Sequence, residues 1–338
     1  MAWTSALVLA ALHGASDAAP YVAYIGNVSV HSASPAAKIM VADLAGGAPV
    51  SVSEGLHSAR SPAWSPDGAL LAFEAIEEGL NDIFICRPDG SERRNITASP
   101  DAWESAPAFV DTNRIAYLSG PDVSDVWLLD LATNEKTKLT EETRFHGTPV
   151  ASPDGTLLAV TGSDKLAGPG HIYLLATDGQ ETRQLTEAPA IYSTPCFSPD
   201  RESVAFCFDG AEVGGATRGL ALVPVAGGEA QLVADNGYPL APLSFSPDAS
   251  RIAYTSSSVY HSTWVNVVNV DGSDSTRLAV NPFHIIGWPS FSPDGTEIAY
   301  QGVYGARYTV HVVDLATGED VTLTPEGETG VNPVFSPR

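Results

Sequence analysis

Cysteine, basic residues, long apolar runs and catalytic signatures are all scarce in this chain. Three cysteines, Cys86, Cys196 and Cys207, among 338 residues are too few for a disulfide framework and are not spaced as zinc ligands. Cys196 and Cys207 flank one expected hairpin. Pairing Ser198 with Ser203 puts them diagonally on one face, leaving open a bridge or two small semi-buried side chains. Only 17 Lys and Arg stand against 40 Asp and Glu, a net charge of −23. Such a surface repels phosphate backbones and anionic headgroups, which makes nucleic acid and acidic membranes poor partners and suits a soluble protein or a basic partner.

The apolar run over residues 3–12 is too short for a lasting membrane anchor. With the small residues Gly14-Ala15-Ser16-Asp17-Ala18-Ala19 behind it, it reads as a signal peptide over residues 1–20, although no Lys or Arg precedes it. No Cys follows to carry a lipid. The expectation is a single domain over 21–338, periplasmic or secreted and monomeric. Gly-x-Ser-x-Gly, His-Glu-x-x-His, a phosphate loop and a dinucleotide fingerprint are all missing, so no catalytic residue, metal or cofactor is assigned. Asp89-Gly90, Asp178-Gly179 and Asp271-Gly272 lack the alternating carboxylates of a calcium loop and are read as hairpin turns.

What the chain does have is a repeat. Ser-Pro-Asp-Gly occurs at Ser65, Ser152 and Ser292, with variants at Ser198, Ser246 and Ser336. Each copy follows a short strand (a) ending in an aromatic, as in Pro62-Ala63-Trp64. Each precedes a second strand (b) with a fixed alanine: Ala23, Ala72, Ala116, Ala159, Ala205, Ala253 and Ala299. A third strand (c) and a fourth (d), often ending Leu-Thr, complete the unit. A period of about 45 residues built from four short strands predicts an all-β fold, a β-propeller with one repeat per blade. Strand a occurs seven times, around Trp64, Phe109, Ala151, Phe197, Phe245, Phe291 and Phe335. The first repeat lacks it and the last consists of nothing else. The C-terminal strand is therefore predicted to join the N-terminal three and close seven four-stranded antiparallel blades, removing exposed sheet edges. Bulky residues after the alanine (Tyr24, Phe73, Tyr117, Phe206, Tyr254, Tyr300) are expected to fill the space between blades, with Val160 the weak copy.

The run Pro62 to Phe73, followed by Asp82-Ile83-Phe84 and Asp89-Gly90-Ser91, resembles the TolB-type propeller repeat. It is also similar to repeats of tricorn-like and prolyl-oligopeptidase-like propellers and of oligogalacturonate lyases. The resemblance spans 21–338 and implies fold more than function. TolB itself resembles a six-bladed propeller behind a separate α/β domain. Seven repeats without that domain make this chain a relative by repeat. The Trp-Asp and Gly-His dipeptides of WD repeats are absent.

Residues just before strand a converge on one end of a propeller's central channel. Here they are His57, Trp103, Glu104, His146, Tyr192, Tyr238, His284 and Trp288. Aromatic, imidazole and carboxylate groups around a channel mouth suit a bound ligand. The expected function is a non-enzymatic scaffold binding a protein or peptide there. The alternative is a carbohydrate-active enzyme like the oligogalacturonate lyases, or another lytic or hydrolytic enzyme. The lyase resemblance implies a His-rich metal centre and basic residues for uronate carboxylates. His57, His146 and His284 are the imidazoles on offer, and Arg60 and Arg144 the cations, against an acidic field that opposes a polyanion.

Overall fold

In the computed structural model the described residues are 20–27, 36–77, 79–120, 124–140, 147–163, 169–188, 190–192, 195–235, 238–257, 263–278, 285–304 and 307–337. The expected signal segment lies outside them. Among the described residues every regular element is a strand. Blade 2 shows the plan: His57–Trp64 (a), Leu71–Ile76 (b), Asn81–Cys86 (c) and Arg94–Asn95 (d), antiparallel and consecutive. Blades 3, 4 and 5 begin at Glu104, Val150 and Ile191. Blades 6 and 7 begin at Tyr238 and Ile285 and are joined through one pair, Thr263 with Ile285. Blade 1 takes Tyr21–Gly26, Lys38–Asp43 and Val50–Ser51 from the N-terminus and Gly330–Phe335 from the C-terminus. The fold is a seven-bladed β-propeller.

The turn motif works through its serine. Ser65 Oγ donates to Asp67 Oδ1 (2.7 Å) and accepts from Leu70 N (2.9 Å), while Ser65 N donates to Leu70 O (2.9 Å). Ser152, Ser198, Ser246 and Ser292 also donate to the aspartate two residues on and accept the amide five residues on. These bonds satisfy the turn's polar groups and hold the Asp248 carboxyl down at about 2, the Ser246 hydroxyl being the main cause. At Val110-Asp111-Thr112-Asn113 the serine is missing. Asp111 Oδ1 accepts from Asn113 N and Arg114 N instead, both at 2.8 Å.

Ring closure reuses the same chemistry across the chain ends. Ser336 N donates to Tyr21 O (2.8 Å), and Ser336 Oγ accepts from Tyr21 N (2.9 Å). Tyr21 thus stands where Leu70 stands in blade 2. The ladder pairs Val22 with Phe335, Ala23 with Val334, Ile25 with Val331 and Gly26 with Gly330. Trp64 Nε1 donates to Val334 O at 3.1 Å and ties the completed blade to its neighbour.

The core lies between blades, in seven apolar clusters. Tyr24 packs on Val310 and Val312 of blade 7, Phe73 on Ile39 and Val41 of blade 1, and Tyr117 on Ile83 and Ile85 of blade 2. Phe206, Tyr254 and Tyr300 do the same, so each aromatic fills the gap to the preceding blade. These rings are at most 3% exposed, worth about 1.5–3 kcal/mol each. All seven fixed alanines are 0% exposed and face the following blade, where a larger side chain would overfill the seam. Cys196 and Cys207 are free, as is Cys86. Cys196 pairs with Ala205, so the diagonal placement holds without a bond. Burial pushes the thiols of Cys86 and Cys196 up to about 12 and about 11, which keeps them unreactive.

Candidate ligand-binding mouth

Strand a of each blade neighbours the corresponding strand of the next, so these strands line the axis. Phe291 N donates to Ser244 Oγ and Phe335 N to Ser290 Oγ, both at 3.0 Å, stitching consecutive inner strands together. The starts of strands a and c and the ends of b and d share one end of the ring, opposite the Ser-Pro-Asp-Gly turns. A third device also sits at this end. A Ser or Thr hydroxyl after strand d accepts the first amides of strand c 14 residues earlier. The pairs are Ile39 with Ser53, Ile83 with Thr97, Val126 with Thr140, Ile172 with Thr186 and Val310 with Thr324, at 2.8–3.0 Å. The Leu-Thr endings seen in the sequence are these caps.

Each inner strand approaches the mouth through a kink in four adjacent blades. Ser61, Ala106, Trp288 and Asn332, each before a proline, adopt φ of 53–55° and interrupt the ladder. Bulges of this kind re-aim neighbouring side chains. The residue two past the fixed alanine of the preceding blade meets the kink: Glu74 Oε2 accepts from Ala106 N (3.1 Å) and Gln301 Oε1 from Asn332 N (3.3 Å). Thr255 holds the same position beneath Gly287, where an added Cβ would come within 2.2 Å of its Oγ1.

At the seam of blades 2 and 3 this contact becomes a polar network. Glu74 is buried, forms an ion pair with Arg60 (Nε to Oε1, 2.7 Å), and accepts from Ser61 Oγ (3.0 Å), Asn81 Nδ2 (3.2 Å) and Ala106 N (3.1 Å). Asn81 Nδ2 also donates to Glu104 O at 2.5 Å. Glu104 Oε1 accepts from Ser99 Oγ (2.5 Å), and Asp82 Oδ1 accepts from Ser99 N (3.2 Å) and Thr97 Oγ1 (3.3 Å). Glu104 Oε2 and Asn81 Oδ1 are buried acceptors facing no donor. Burial pushes the Glu104 carboxyl up, with Asp82 adding to the rise against the Ser99 and Thr97 hydroxyls. Burial of a carboxyl with one oxygen left without a partner disfavours its charged form.

The expected mouth residues fall into four groups. His57 opens strand a of blade 2 and is exposed, Trp103 is 40% exposed beside blade 3, and Trp288 is half-buried on the kink of blade 7. Glu104, by contrast, is 1% exposed and lies inside the seam, and the carbonyl of Trp103 before it accepts from Gly120 N at 3.1 Å. Tyr192 and Tyr238 sit on strand a of blades 5 and 6, opposite Phe208 and Ser257. His146 and His284, like Arg144, lie outside the described residues. Among the described residues no three His, Cys, Asp or Glu side chains gather to hold a metal. The sequence reading missed Glu74, although a lone carboxylate in the apolar strand Leu71-Ala72-Phe73-Glu74-Ala75-Ile76 was a visible anomaly.

The architecture defines the class: a β-propeller closed non-covalently by its own C-terminal strand. Residues 89–216 match the TolB beta propeller domain family. No curated protein sequence matches the chain. Its structure is similar to that of TolB from Acinetobacter baumannii, at 20% identity and a TM-score of 0.65, covering 99% of this chain and 71% of that one. It is similar also to oligogalacturonate lyase from Vibrio parahaemolyticus (16% identity, TM-score 0.64, 90% and 86% covered). A puromycin-hydrolyzing peptidase of Mycobacterium tuberculosis shares 17% identity with a TM-score of 0.64, over 83% of this chain and 47% of that one. Likeness at these identities is likeness of fold. Within residues 89–216 the repeat is of the TolB beta propeller type.

Proposed function

We propose that this protein is an exported, non-enzymatic propeller that binds a protein or peptide segment at the mouth of its channel. The observation that carries the reading is the pair of tryptophans there. Trp103 is one of two large hydrophobic side chains exposed among the described residues. Trp288 is held at φ 55°, a conformation that costs a bulky residue roughly 1–2 kcal/mol. The neighbouring blades carry Ser61, Ala106 and Asn332 at the same kink, so it is the large half-exposed ring at this position that suits contact. His57 opens its strand at the same end and Tyr192 and Tyr238 lie on inner strands, while His146 and His284 precede theirs in the sequence.

The test compares quantitative capture of cross-linked partners from an envelope extract by wild type, Trp103→Ala and Trp288→Gly. Glycine suits the left-handed backbone, so Trp288→Gly should keep or raise the melting temperature while reducing capture. Capture unchanged by both variants, or formation of unsaturated products from oligogalacturonate by wild type, overturns the reading.

A further inference from the structure

Apart from His57, the seven inner strands over their described ranges carry one Lys or Arg and one Asp or Glu: Arg60 and Glu104. Glu104 is sealed in the seam at 1% exposure, whereas the Arg60 side chain is 38% exposed. In a protein of net charge −23, the one exposed formal charge on the strands lining the channel is therefore positive. Its orientation is set. Arg60 Nε is held by Glu74 Oε1 at 2.7 Å, and Glu74 is fixed by three donors from blades 2 and 3. A guanidinium has five N–H groups. This pairing is made at Nε, and 38% of the side chain stays exposed for the rest of the group. The kinks at Ser58 (φ 52°) and Ser61 (φ 54°) flank Arg60 and fix where it leaves the strand.

We infer that Arg60 is a carboxylate-binding residue of the channel and that the ligand presents a single carboxylate to it, a peptide C-terminus or one acidic side chain. This rests on the mouth reading above and names the chemistry of its ligand. A guanidinium paired at Nε on a partly exposed side chain is arranged for charge-assisted, two-pronged recognition of a carboxylate. The negative surface does not forbid it, because at physiological salt the field of distant charges fades over about 8 Å. It does favour one carboxylate over a chain of them. A polyuronate would meet one cation and a repelling field, whereas a peptide offers one charge with apolar neighbours for Trp103 and Trp288.

The test is fluorescence anisotropy with a labelled heptapeptide ending in Trp-Gln with a free C-terminus, whose terminus is its single carboxylate. The control is the same peptide ending in Trp-Gln-amide. Wild type should bind the carboxylate peptide at least about tenfold more tightly than its neutral twin. Removing Arg60 alone strands the buried Glu74 anion, so the main variant is Arg60→Gln with Glu74→Gln. It should bring the two affinities within about twofold and leave the neutral peptide's affinity unchanged, with Arg60→Lys intermediate. Equal binding of the two peptides to wild type, both weakened by Trp103→Ala, overturns the carboxylate inference and leaves the mouth reading standing. Failure of both peptides to bind overturns the two together. Digalacturonate binding more tightly than the carboxylate peptide assigns Arg60 to a sugar acid and overturns the peptide ligand.

Discussion

Removing residues 331–338 takes from blade 1 the strand that closes the ring. Phe335, 5% exposed, forfeits about 2 kcal/mol of apolar burial, and Val331 and Val334 lose part of theirs. The ladder pairs three of the removed residues, Val331, Val334 and Phe335, with the first strand, and Ser336 adds two hydrogen bonds to Tyr21. Each bond is worth about 0.5–1.5 kcal/mol net. Trp64 loses the acceptor of its indole N–H, and Val22, Ala23 and Ile25 gain a wet edge. The total is comparable with the 5–15 kcal/mol that holds a domain together. The truncated chain should therefore melt at least about 10 °C lower, or not fold at all. The assay is thermal unfolding followed by circular dichroism, with and without the peptide Gly-Val-Asn-Pro-Val-Phe-Ser-Pro added in trans. Recovery should saturate with peptide and fail for a peptide with Phe335→Ser. A truncated protein that melts like wild type would refute the closure argument, since no other contact in blade 1 replaces those lost.

Two more perturbations isolate single features. Glu104→Gln replaces a carboxyl whose pKa burial raises. A raised carboxyl pKa gives stability present below the ordinary carboxylate range and lost as pH climbs through the raised value. Wild type should thus match the variant at pH 4 and fall behind it by pH 8 in urea unfolding, and a pH-independent difference would show the proton is not held there. The turn aspartates, such as Asp248 with its depressed pKa, run the opposite way and cancel in this comparison. Ala72→Leu should cost about 1–3 kcal/mol by overfilling the seam of blades 2 and 3. The same change at exposed Ala69 in the adjacent turn should be nearly neutral, and equal costs at the two positions would refute the role given to the fixed alanine.

The chain's local pattern was enough to specify the blade and the number of blades. Pro-Asp-Gly turns, the alanine followed by an aromatic, and fragments of one repeat at the two ends are short-range or periodic signals. They depend on the backbone geometry of a few residues and on which face of a strand is apolar. Even the closing strand was legible, because Asn332-Pro333-Val334-Phe335-Ser336 repeats a unit whose partners were already known. Contacts between blades were not legible in that way. Glu104, in the sequence one polar residue beside an aromatic at the mouth, turns inward because Ser99, Asn81 and Asp82 arrive from the neighbouring blade. The left-handed kinks at Ala106 and Asn332 persist because Glu74 and Gln301 reach across a seam to hold their amides. Sequence period sets how many blades there are and how each turns. Only the closed ring, by bringing residues some 30 positions apart within hydrogen-bond reach, decides which polar side chains are buried for stability and which, like Arg60, are left open to a ligand.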